Sequence, residues 1–524
     1  MSPTARRAAL LILSYAFRGV SSLVRSVQFK SFPFTYHEEL ELTIDRVSNS
    51  GNGVAGVLLP SSSRRWVVVV PFVLPGEIVR ARIVHNYARY SQAELMHVSH
   101  PSPLRQSPPC PLFGTCGGCV YQHVPYVEQL RWKASQVVDV LQRIGRIDPE
   151  SIHVGSTIGS PLQWHYRSKL TPQLGPDAVG FAAAGSPSSL VDVPSCLLAS
   201  EPINEALSNV RDSREASALT LQPDTSLLLR YTPHDGVVFD PTHVLTEDVG
   251  SLRFRFQARD FFQTNPSILP ALIEYVLEQA RGELSPARAH VAADATADDA
   301  LPVHPTIEYL IDAYCGVGLF AIAAARFWEH GSVTSGSSSA TAVDEDDSRS
   351  AYAPLRTIVG VEVSASSIDA ARGNAELNGV SHVRFLAAAA ERIFDDLEFH
   401  AEGSRSAVIV DPPRKGCSEA FLSQLCDFAP RRIIYVSCSP DTQARDLRTL
   451  LDAGYTLERV QPFDLFPHTR HLESVATLEW LGAEPPMPVI CSSKPRAVND
   501  RSSKRRRRAD KRSKTKKKNC VKRE

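Results

Sequence analysis

The chain has 524 residues, of which 43% are hydrophobic, and equal numbers of acidic and basic residues give it a formal net charge of zero. A chain of this length can bury more than one hydrophobic core, which predicts roughly two or three domains; the lack of any apolar run of about 18 residues argues against an integral membrane protein. Its ten cysteines are too scattered to indicate a disulfide framework, and an intracellular location would keep them reduced, so metal binding or catalysis is the better explanation.

The first 35 residues are a possible targeting extension. Five basic residues and no acidic residue precede Glu38, with serine and apolar residues between them. This composition is typical of a mitochondrial presequence, and an ordinary disordered extension explains it equally well.

Residues 36–100 alternate apolar and polar residues in short runs. The runs LELTIDRV, RRWVVVVPFV and EIVRARIV, with the turn SNSGNG after the first, predict a small OB-like β-barrel. Such barrels often bind nucleic acids, although a purely structural barrel fits the pattern as well.

Residues 101–250 contain basic aromatic segments, a predicted helix from Val127 to Ile144 and a cluster of cysteines. Three cysteines lie in the segment CPLFGTCGGC and a fourth follows downstream; they are Cys110, Cys116, Cys119 and Cys196. Glycines in this segment can bring backbone N–H groups to the sulfurs, so the thiolates can close around a soft metal centre. Spacing alone leaves an iron-sulfur centre and a four-cysteine zinc site open.

Residues 251–482 alternate strand-like and helical segments, which predicts a doubly wound, Rossmann-like parallel sheet. The predicted helices are Pro266–Ala280, Leu319–Phe327, Ser366–Leu377, Ser418–Phe428 and Asp441–Ala453. Two segments, 282–305 and 331–354, lack an apolar period and are predicted to be disordered surface insertions.

A glycine loop, Asp312-Ala-Tyr-Cys-Gly-Val-Gly318, joins the first strand of that domain to a helix, and Glu362 ends the next strand. Glycine there lets a ligand approach the backbone, and the carboxylate can accept hydrogen bonds from ribose hydroxyls. Because the third glycine of a pyrophosphate site is missing, the adenosine of S-adenosylmethionine fits better than a dinucleotide. A tight turn without a ligand is the alternative.

A carboxylate and a cysteine follow two later strands. Asp411 opens the loop DPPRKG, at the sheet edge where ligands bind in such folds. Amine methyltransferases often carry an aromatic residue after a similar Pro-Pro step, whereas Arg414 stands here, which argues against amine methylation. Cys438, in YVSCSP, is either a buried core thiol or a nucleophile. Methylation of uracil at C5 requires such a thiolate, because its addition to C6 makes C5 nucleophilic.

The methylated adduct must then lose its C5 proton to a base. The segment FPHTRHLE supplies Glu473, whose pKa would rise in a dry pocket, and His468 and His471 as rivals that better fit structural roles.

Residues 483–524 form a basic tail that is predicted to be disordered. Its last 24 residues contain fourteen Lys or Arg against two acidic residues, so the rest of the chain carries the compensating negative charge. A nuclear address and a phosphate-binding arm are both compatible with this composition.

These motifs together resemble the RNA 5-methyluridine (uracil-C5) methyltransferase family, over about residues 36–482. Six separated motifs occur in the family's order, namely CPLFGTCGGC, ARDFFQTN, DAYCGVG, DPPRKG, YVSCSP and FPHTRHLE. The resemblance implies that Cys438 is the nucleophile and Glu473 the base, and that the cofactor contacts are Gln263, Tyr314, Glu362 and Asp411. It also implies that Cys110, Cys116, Cys119 and Cys196 hold a 4Fe-4S cluster, and that the barrel is an RNA-binding TRAM domain.

The expected protein is therefore an α/β enzyme with a TRAM-like barrel, a central α+β iron-sulfur domain and an S-adenosylmethionine-dependent methyltransferase domain. Its expected substrate is U54 of the tRNA T-loop, since eukaryotic-looking members act mainly on tRNA. The alternatives are a ribosomal RNA uridine, an RNA cytosine, and a non-catalytic tRNA-binding or tRNA-folding protein. No membrane or protein partner is implied, and the two ends predict a mitochondrial and a nuclear location respectively.

Overall fold

The computed structural model describes residues 32–59, 64–175, 178–217, 225–282, 306–330, 355–393 and 401–481. The predicted basic tail, nearly all of the predicted extension and both predicted insertions (apart from Gly282) lie outside these ranges. Within them, no helix is both long and apolar enough to cross a membrane.

Residues 39–100 form a six-stranded sheet, whose strands are β1 (Glu39–Thr43), β2 (Arg46–Val47), β3 (Gly53–Leu58), β4 (Arg65–Val70), β5 (Ile78–Asn86) and β6 (Tyr90–His100). Their order in the sheet is β1-β5-β6-β4-β3-β2. The alternation in the sequence explains the buried face, because Val79, Ala81 and Ile83 on β5 all point into the core. Closure of this sheet into a barrel stays a prediction.

The central segment combines small antiparallel sheets with two helices. Its elements are α1 (Tyr126–Arg143), β7 (His153–Val154), β8 (Lys169–Leu170), β9 (Gln173–Leu174), β10 (Val179–Ala183), β11 (Ser186–Asp192), α2 (Glu201–Ser217), β12 (Thr225–Ser226), β13 (Leu229–Thr232) and β14 (Gly236–Val238), with a 3-10 turn at Pro149–Ser151. The buried face of α1 is unusual because it contains Gln129, Lys133 and Gln136 as well as apolar residues.

The remaining described elements build the largest sheet and its helices. They are β15 (Val244–Val249), β16 (Leu252–Gln257), α3 (Leu269–Arg281), β17 (Tyr309–Ala313), α4 (Leu319–His330), β18 (Thr357–Glu362), α5 (Ala365–Leu377), β19 (Val383–Ala387), β20 (Ser406–Val410), α6 (Glu419–Phe428), β21 (Arg432–Ser437), α7 (Pro440–Asp452), β22 (Thr456–Phe463) and β23 (Glu473–Glu479), with 3-10 turns at Ala390–Arg392 and Gly403–Arg405.

Local chemistry sets several of these helix ends. The Ser364 and Ser418 hydroxyls accept hydrogen bonds from the first turns of α5 and α6, at Ser367 N and Phe421 N. Pro440 begins α7, where its missing N–H costs nothing.

The large sheet has the order β19-β18-β17-β20-β21-β23-β22-β7. The five strands from β19 to β21 are parallel, whereas β23 runs antiparallel to both β21 and β22. Strands β20 and β21 are buried along their whole length, as expected when helices cover both faces. Helices α3, α4 and α5 contribute to the core on one face, and α1, α6 and α7 to the core on the other. The prediction of a mixed α/β fold around a Rossmann-like sheet is confirmed.

Strand β7 pairs with β22 and thus extends the large sheet from the central segment. No pattern in the sequence predicts this pairing, and the domain boundaries remain predictions.

Candidate active site

The carboxyl edge of the parallel strands gathers most of the predicted site residues. Tyr314, Glu362, Asp411 and Cys438 lie at or just beyond the ends of β17, β18, β20 and β21. Glu473 reaches the same edge because β23 is antiparallel and begins there.

The pairing of β21 with β23 brings Cys438 and Glu473 together. Ser437 lies opposite Ser474 at the end of the ladder, so Cys438 and Glu473 are next in the same register. Facing positions in such a ladder have Cβ atoms about 4.5–5.5 Å apart. A thiol and a buried carboxyl are therefore neighbours across the strand ends.

The glycine loop after β17 has the backbone shape that its sequence predicts. Tyr314, Gly316 and Gly318 have φ angles of 63°, 54° and 90°. A Cβ atom on Gly318 would lie 3.0 Å from side-chain atoms of Ile322 and Phe385, so a side chain there is both strained and crowded. The chain therefore turns tightly into α4.

Asp312 lies beneath this loop and is fully buried. Its Oδ2 accepts a hydrogen bond from Ala321 N at 2.9 Å, whereas Oδ1 has no hydrogen-bond partner among the described residues. Burial, followed by the charges of Asp411 and Glu362, raises the pKa of Asp312 well above its ordinary value.

Glu362 lies half-buried at the end of β18. Its Oε1 accepts a hydrogen bond from Ser364 N at 2.9 Å, which fixes one carboxylate oxygen. Val363, which is not among the predicted site residues, is 74% exposed beside it. An exposed apolar side chain at this edge can pack against the flat face of a base, and its position after the acidic residue is the signal that could have identified it.

Tyr314 borders a polar network that the sequence motifs do not reveal. Its ring packs edge-on against Phe421, with ring centroids 5.5 Å apart, and burial followed by the neighbouring Cys417 thiol raises the pKa of Tyr314. Asp446 Oδ2 accepts hydrogen bonds from Cys417 N and from the Tyr435 hydroxyl, both at 2.8 Å. These contacts hold the surroundings of Tyr314 in place.

Four ionisable groups interact at the Cys438 end of the edge. Burial raises the pKa of Asp411, and burial together with the Asp411 charge holds the pKa of Glu473 well above its ordinary range. Burial and then Glu473 raise the pKa of the Cys438 thiol to about 11, against a hydrogen bond and the positive charge of Arg414. Arg414 is thus the group that favours a thiolate.

A cavity of about 530 Å³ opens beside Cys438. Its walls come from the turn at residues 48–50, helix α1, the start of α7 and residues 470–472. Three arginines, Arg143, Arg414 and Arg470, also line the cavity. Its size is typical of a small-molecule site, and its positive lining suits an anionic polymer.

The two histidines that compete with Glu473 are held neutral. His468 is buried, stacks on Trp164 with ring centroids 3.7 Å apart and meets Gln129 Nε2 through its Nδ1 at 3.1 Å. Burial lowers the pKa of His468 to about 3. His471 lines the cavity, and burial followed by Arg414 lowers its pKa to about 4.

Gln263 lies on the segment after β16, away in sequence from the strand ends. It is buried, and the Arg230 guanidinium fixes this segment by donating to the carbonyls of Ala258, Asp260 and Phe262. The role of Gln263 in cofactor binding stays a prediction.

The four predicted metal ligands border a second cavity, of about 220 Å³, and all four thiols are free. Burial raises the pKa of Cys119 to about 12, and it also raises the pKa of Cys116 and Cys196. Backbone N–H groups of Gly118 and Leu198 hydrogen-bond to the sulfurs of Cys116 and Cys196 respectively. In the described part of the chain, however, no three His, Cys, Asp or Glu side chains are arranged to hold a metal ion.

The cysteine segment touches the loop that precedes Glu473. Val120 N and Tyr121 N both donate to the carbonyl of His468, at 2.9 and 3.1 Å. The two sites are thus connected through one backbone carbonyl.

Comparison with known proteins gives consistent matches. The tRNA (uracil-5-)-methyltransferase family model matches residues 350–480. The chain is 33% identical over 478 residues to the tRNA (uracil(54)-C(5))-methyltransferase of Schizosaccharomyces pombe, a match that covers 88% of this chain and 81% of that protein. It is 28% identical to the Saccharomyces cerevisiae protein of the same name, over 85% of this chain and 74% of that protein.

A solved structure shares the fold. The Pyrococcus abyssi tRNA (uracil-54, C5)-methyltransferase, crystallised with S-adenosyl-L-homocysteine, aligns with a TM-score of 0.59 at 22% identity. The alignment covers 84% of this chain and 100% of that chain.

Proposed function

This chain belongs to the tRNA (uracil-5-)-methyltransferase family, and from that premise we propose that it transfers a methyl group from S-adenosylmethionine to C5 of U54 in the tRNA T-loop. The observation that carries the proposal is the position of Cys438 next to Glu473 in the register of β21 and β23. A nucleophile and a base at one sheet edge are what C5 methylation of uracil requires.

The reaction begins at Cys438. Its thiolate adds to C6 of the uracil, and the π electrons of the C5–C6 bond move onto C5 and O4, which makes C5 nucleophilic. Arg414 and the N-terminus of α7, which begins two residues later, both favour the thiolate form. Bound S-adenosylmethionine supplies the electrophilic methyl group.

Glu473 completes the reaction by removing the C5 proton. The electron pair of that C–H bond re-forms the C5–C6 double bond and expels the Cys438 thiolate from C6. Burial and the Asp411 charge make the Glu473 carboxylate a stronger base than an exposed glutamate.

The cofactor contacts follow the order of the strands. In this proposal Glu362 accepts hydrogen bonds from ribose hydroxyls and the exposed Val363 packs on the adenine. Tyr314, Asp411 and Gln263 are the remaining contacts of this proposal.

The target uridine lies inside folded RNA and must leave its stack to reach Cys438. The cavity beside Cys438 is large enough to receive it, and its arginines can contact the flanking phosphates. The six-stranded sheet, as a TRAM-like domain, contributes the turn at residues 48–50 to this RNA-binding surface.

The four cysteines are proposed as the residues that would hold a 4Fe-4S cluster. They line one cavity, and the sulfurs of Cys116 and Cys196 receive backbone N–H hydrogen bonds, which tune such clusters. When bound, the cluster supplies a structural crosslink or a redox centre, while the cysteines Cys110, Cys116, Cys119 and Cys196 hold it.

The ends of the chain complete the proposal. Residues 1–35 direct the protein to mitochondria, and the basic tail at 483–524 serves as a nuclear address or RNA-binding arm. Residues 36–100, 101–250 and 251–482 are proposed as the three domains.

Methyl transfer to defined transcripts tests the function. Full-length enzyme is incubated with labelled S-adenosylmethionine and unmodified tRNA that carries U54 or C54; Cys438→Ala is the inactive variant, and Cys426→Ala, on helix α6, is the matched control. We expect label only in the U54 transcript, with wild type and Cys426→Ala. Label in C54 alone indicates a cytosine enzyme, and tRNA binding without transfer indicates a non-catalytic protein.

A further inference from the structure

A fully buried lysine lies on helix α1, facing the loop between β22 and β23. Lys133 and Asp464 are both 0% exposed, and Lys133 Nζ donates to Asp464 Oδ1 at 2.6 Å. Burial lowers the pKa of Lys133, and the Asp464 charge opposes that effect. Removing two charges from water is costly, and apolar side chains at such a pair often give equal or greater stability. The pair therefore needs an explanation beyond the stability of the fold.

The other contacts of Lys133 lie on the same loop. Its Nζ also donates to the carbonyls of Phe466, at 3.2 Å, and His471, at 2.8 Å. An ammonium group has three N–H donors, so this set of acceptors uses all of them. The acceptors span the loop from just after β22 to two residues before Glu473.

A second side chain of α1 holds the middle of the loop. Gln129 lies one helical turn before Lys133, and its Oε1 accepts a hydrogen bond from His468 N at 3.1 Å. Helix α1 thus fixes the loop at Asp464, Phe466, His468 and His471.

We propose that Lys133 is a positioning residue for Glu473, which fixes the carboxylate against C5 of the methylated uracil by anchoring the loop that precedes it. This inference rests on the proposed function. Lys133 touches neither the substrate nor the reacting atoms, and it acts through the His471 carbonyl, two residues before the base. The Lys133 side chain is 0% exposed and its three hydrogen bonds all go to the loop before Glu473, so proton removal is the step that its loss slows.

The test measures which step is slowed. Full-length wild type and variants, prepared with their cluster, react with U54 tRNA and methyl-labelled S-adenosylmethionine in single turnovers. Denaturing gels then separate label in the protein–RNA adduct from label in released RNA. The variants are Lys133→Met, the double variant Lys133→Met/Asp464→Leu and Glu473→Gln as the reference. Arg131→Met is the matched control, because Arg131 lies on the same helix with a side chain that is 72% exposed.

We expect both Lys133 variants to form methylated adduct and to release it about 10- to 100-fold more slowly than wild type, since a misplacement of about 1 Å can cost on the order of 100-fold. The double variant separates this effect from instability, because it leaves no buried unpaired carboxylate while the two carbonyls still lack their donor. Arg131→Met should release RNA at the wild-type rate.

Other results overturn the proposal. If the Lys133 variants lose adduct formation and release in parallel, or if the double variant is insoluble, the lysine serves the fold as a whole. Release at the wild-type rate also overturns it. A wild-type enzyme that leaves U54 unmethylated contradicts the proposed function itself, whereas normal wild-type turnover with normal variant release contradicts only the role of Lys133.

Discussion

Replacing Glu473 by glutamine keeps the shape of the side chain and removes the proposed base. Glu473 is 3% exposed, and burial with the nearby Asp411 charge holds the pKa of its carboxyl well above the ordinary range. General base catalysis contributes about 100- to 10,000-fold to a proton transfer. We expect RNA release to slow by this factor, which corresponds to about 3–5 kcal/mol in activation free energy.

The assay follows labelled RNA on denaturing gels after reaction with labelled S-adenosylmethionine. Glu473→Gln should accumulate a slowly migrating, labelled RNA–protein band, because thiolate addition and methyl transfer do not need the carboxylate. The band should be missing from Cys438→Ala and from the double variant Cys438→Ala/Glu473→Gln. Wild-type release should accelerate as pH rises and Glu473 ionises, whereas the glutamine variant should lose that dependence.

Near-normal release of methylated RNA by Glu473→Gln would refute the assignment of the base. His471 would then be the next candidate, because it lines the Cys438 cavity, whereas the His468 ring is buried between Trp164 and Gln129. A band that survives in Cys438→Ala/Glu473→Gln would show that Cys438 is not the nucleophile.

Three further predictions concern the Glu473 carboxyl, the Cys438 thiol and the four cluster cysteines. Because the folded-state pKa of Glu473 is raised, the free energy of unfolding of wild type is highest below the unfolded-state pKa and falls as pH rises through the folded-state pKa. Thermal melts should therefore show Glu473→Gln to be more stable than wild type at high pH and equal to it at about pH 4. Arg414→Gln should raise the pKa of Cys438 and slow its alkylation by iodoacetamide, measured by peptide mass spectrometry, by about tenfold per pKa unit, and an unchanged rate would exclude the thiolate role of Arg414. Anaerobically purified protein should absorb broadly near about 400 nm, and serine variants of the four cluster cysteines should lose that absorption; a colourless protein with stoichiometric zinc would contradict the cluster.

The sequence was sufficient to predict the sheet and its helices because their signals are local. Buried parallel strands such as β20 are continuous apolar runs, and the Ser364 and Ser418 caps lie within two residues of the predicted starts of α5 and α6. Asp411 and Cys438 could be placed at one edge for the same reason, since each directly follows a recognisable strand.

Contacts between distant segments could not be predicted in this way. Strand β7 has only two residues, and its pairing with β22 joins positions about 300 residues apart, which no periodicity records. The turn at residues 48–50 forms a wall of the Cys438 cavity although it lies far from Cys438 in sequence. In the sequence Lys133 is one polar residue of an amphipathic helix, and only the structure shows its buried hydrogen-bond acceptors. Such polar contacts depend on tertiary packing that local patterns do not specify.

The antiparallel strand β23 explains why the base needs support from outside the sheet. The last residue of a parallel strand lies at the carboxyl edge and is held there by that strand, as Cys438 is held after β21. Glu473 instead arrives at the start of β23, so the chain must first cross the edge in the loop from Asp464 to Leu472. Glu473 pairs with Phe463 of β22 and lies next in register with Cys438, but the loop before it belongs to no strand. Buried polar side chains of α1 supply several of the loop's hydrogen bonds, together with Asn265 and Tyr166. These contacts couple the geometry of proton removal to the packing of the central segment against the sheet.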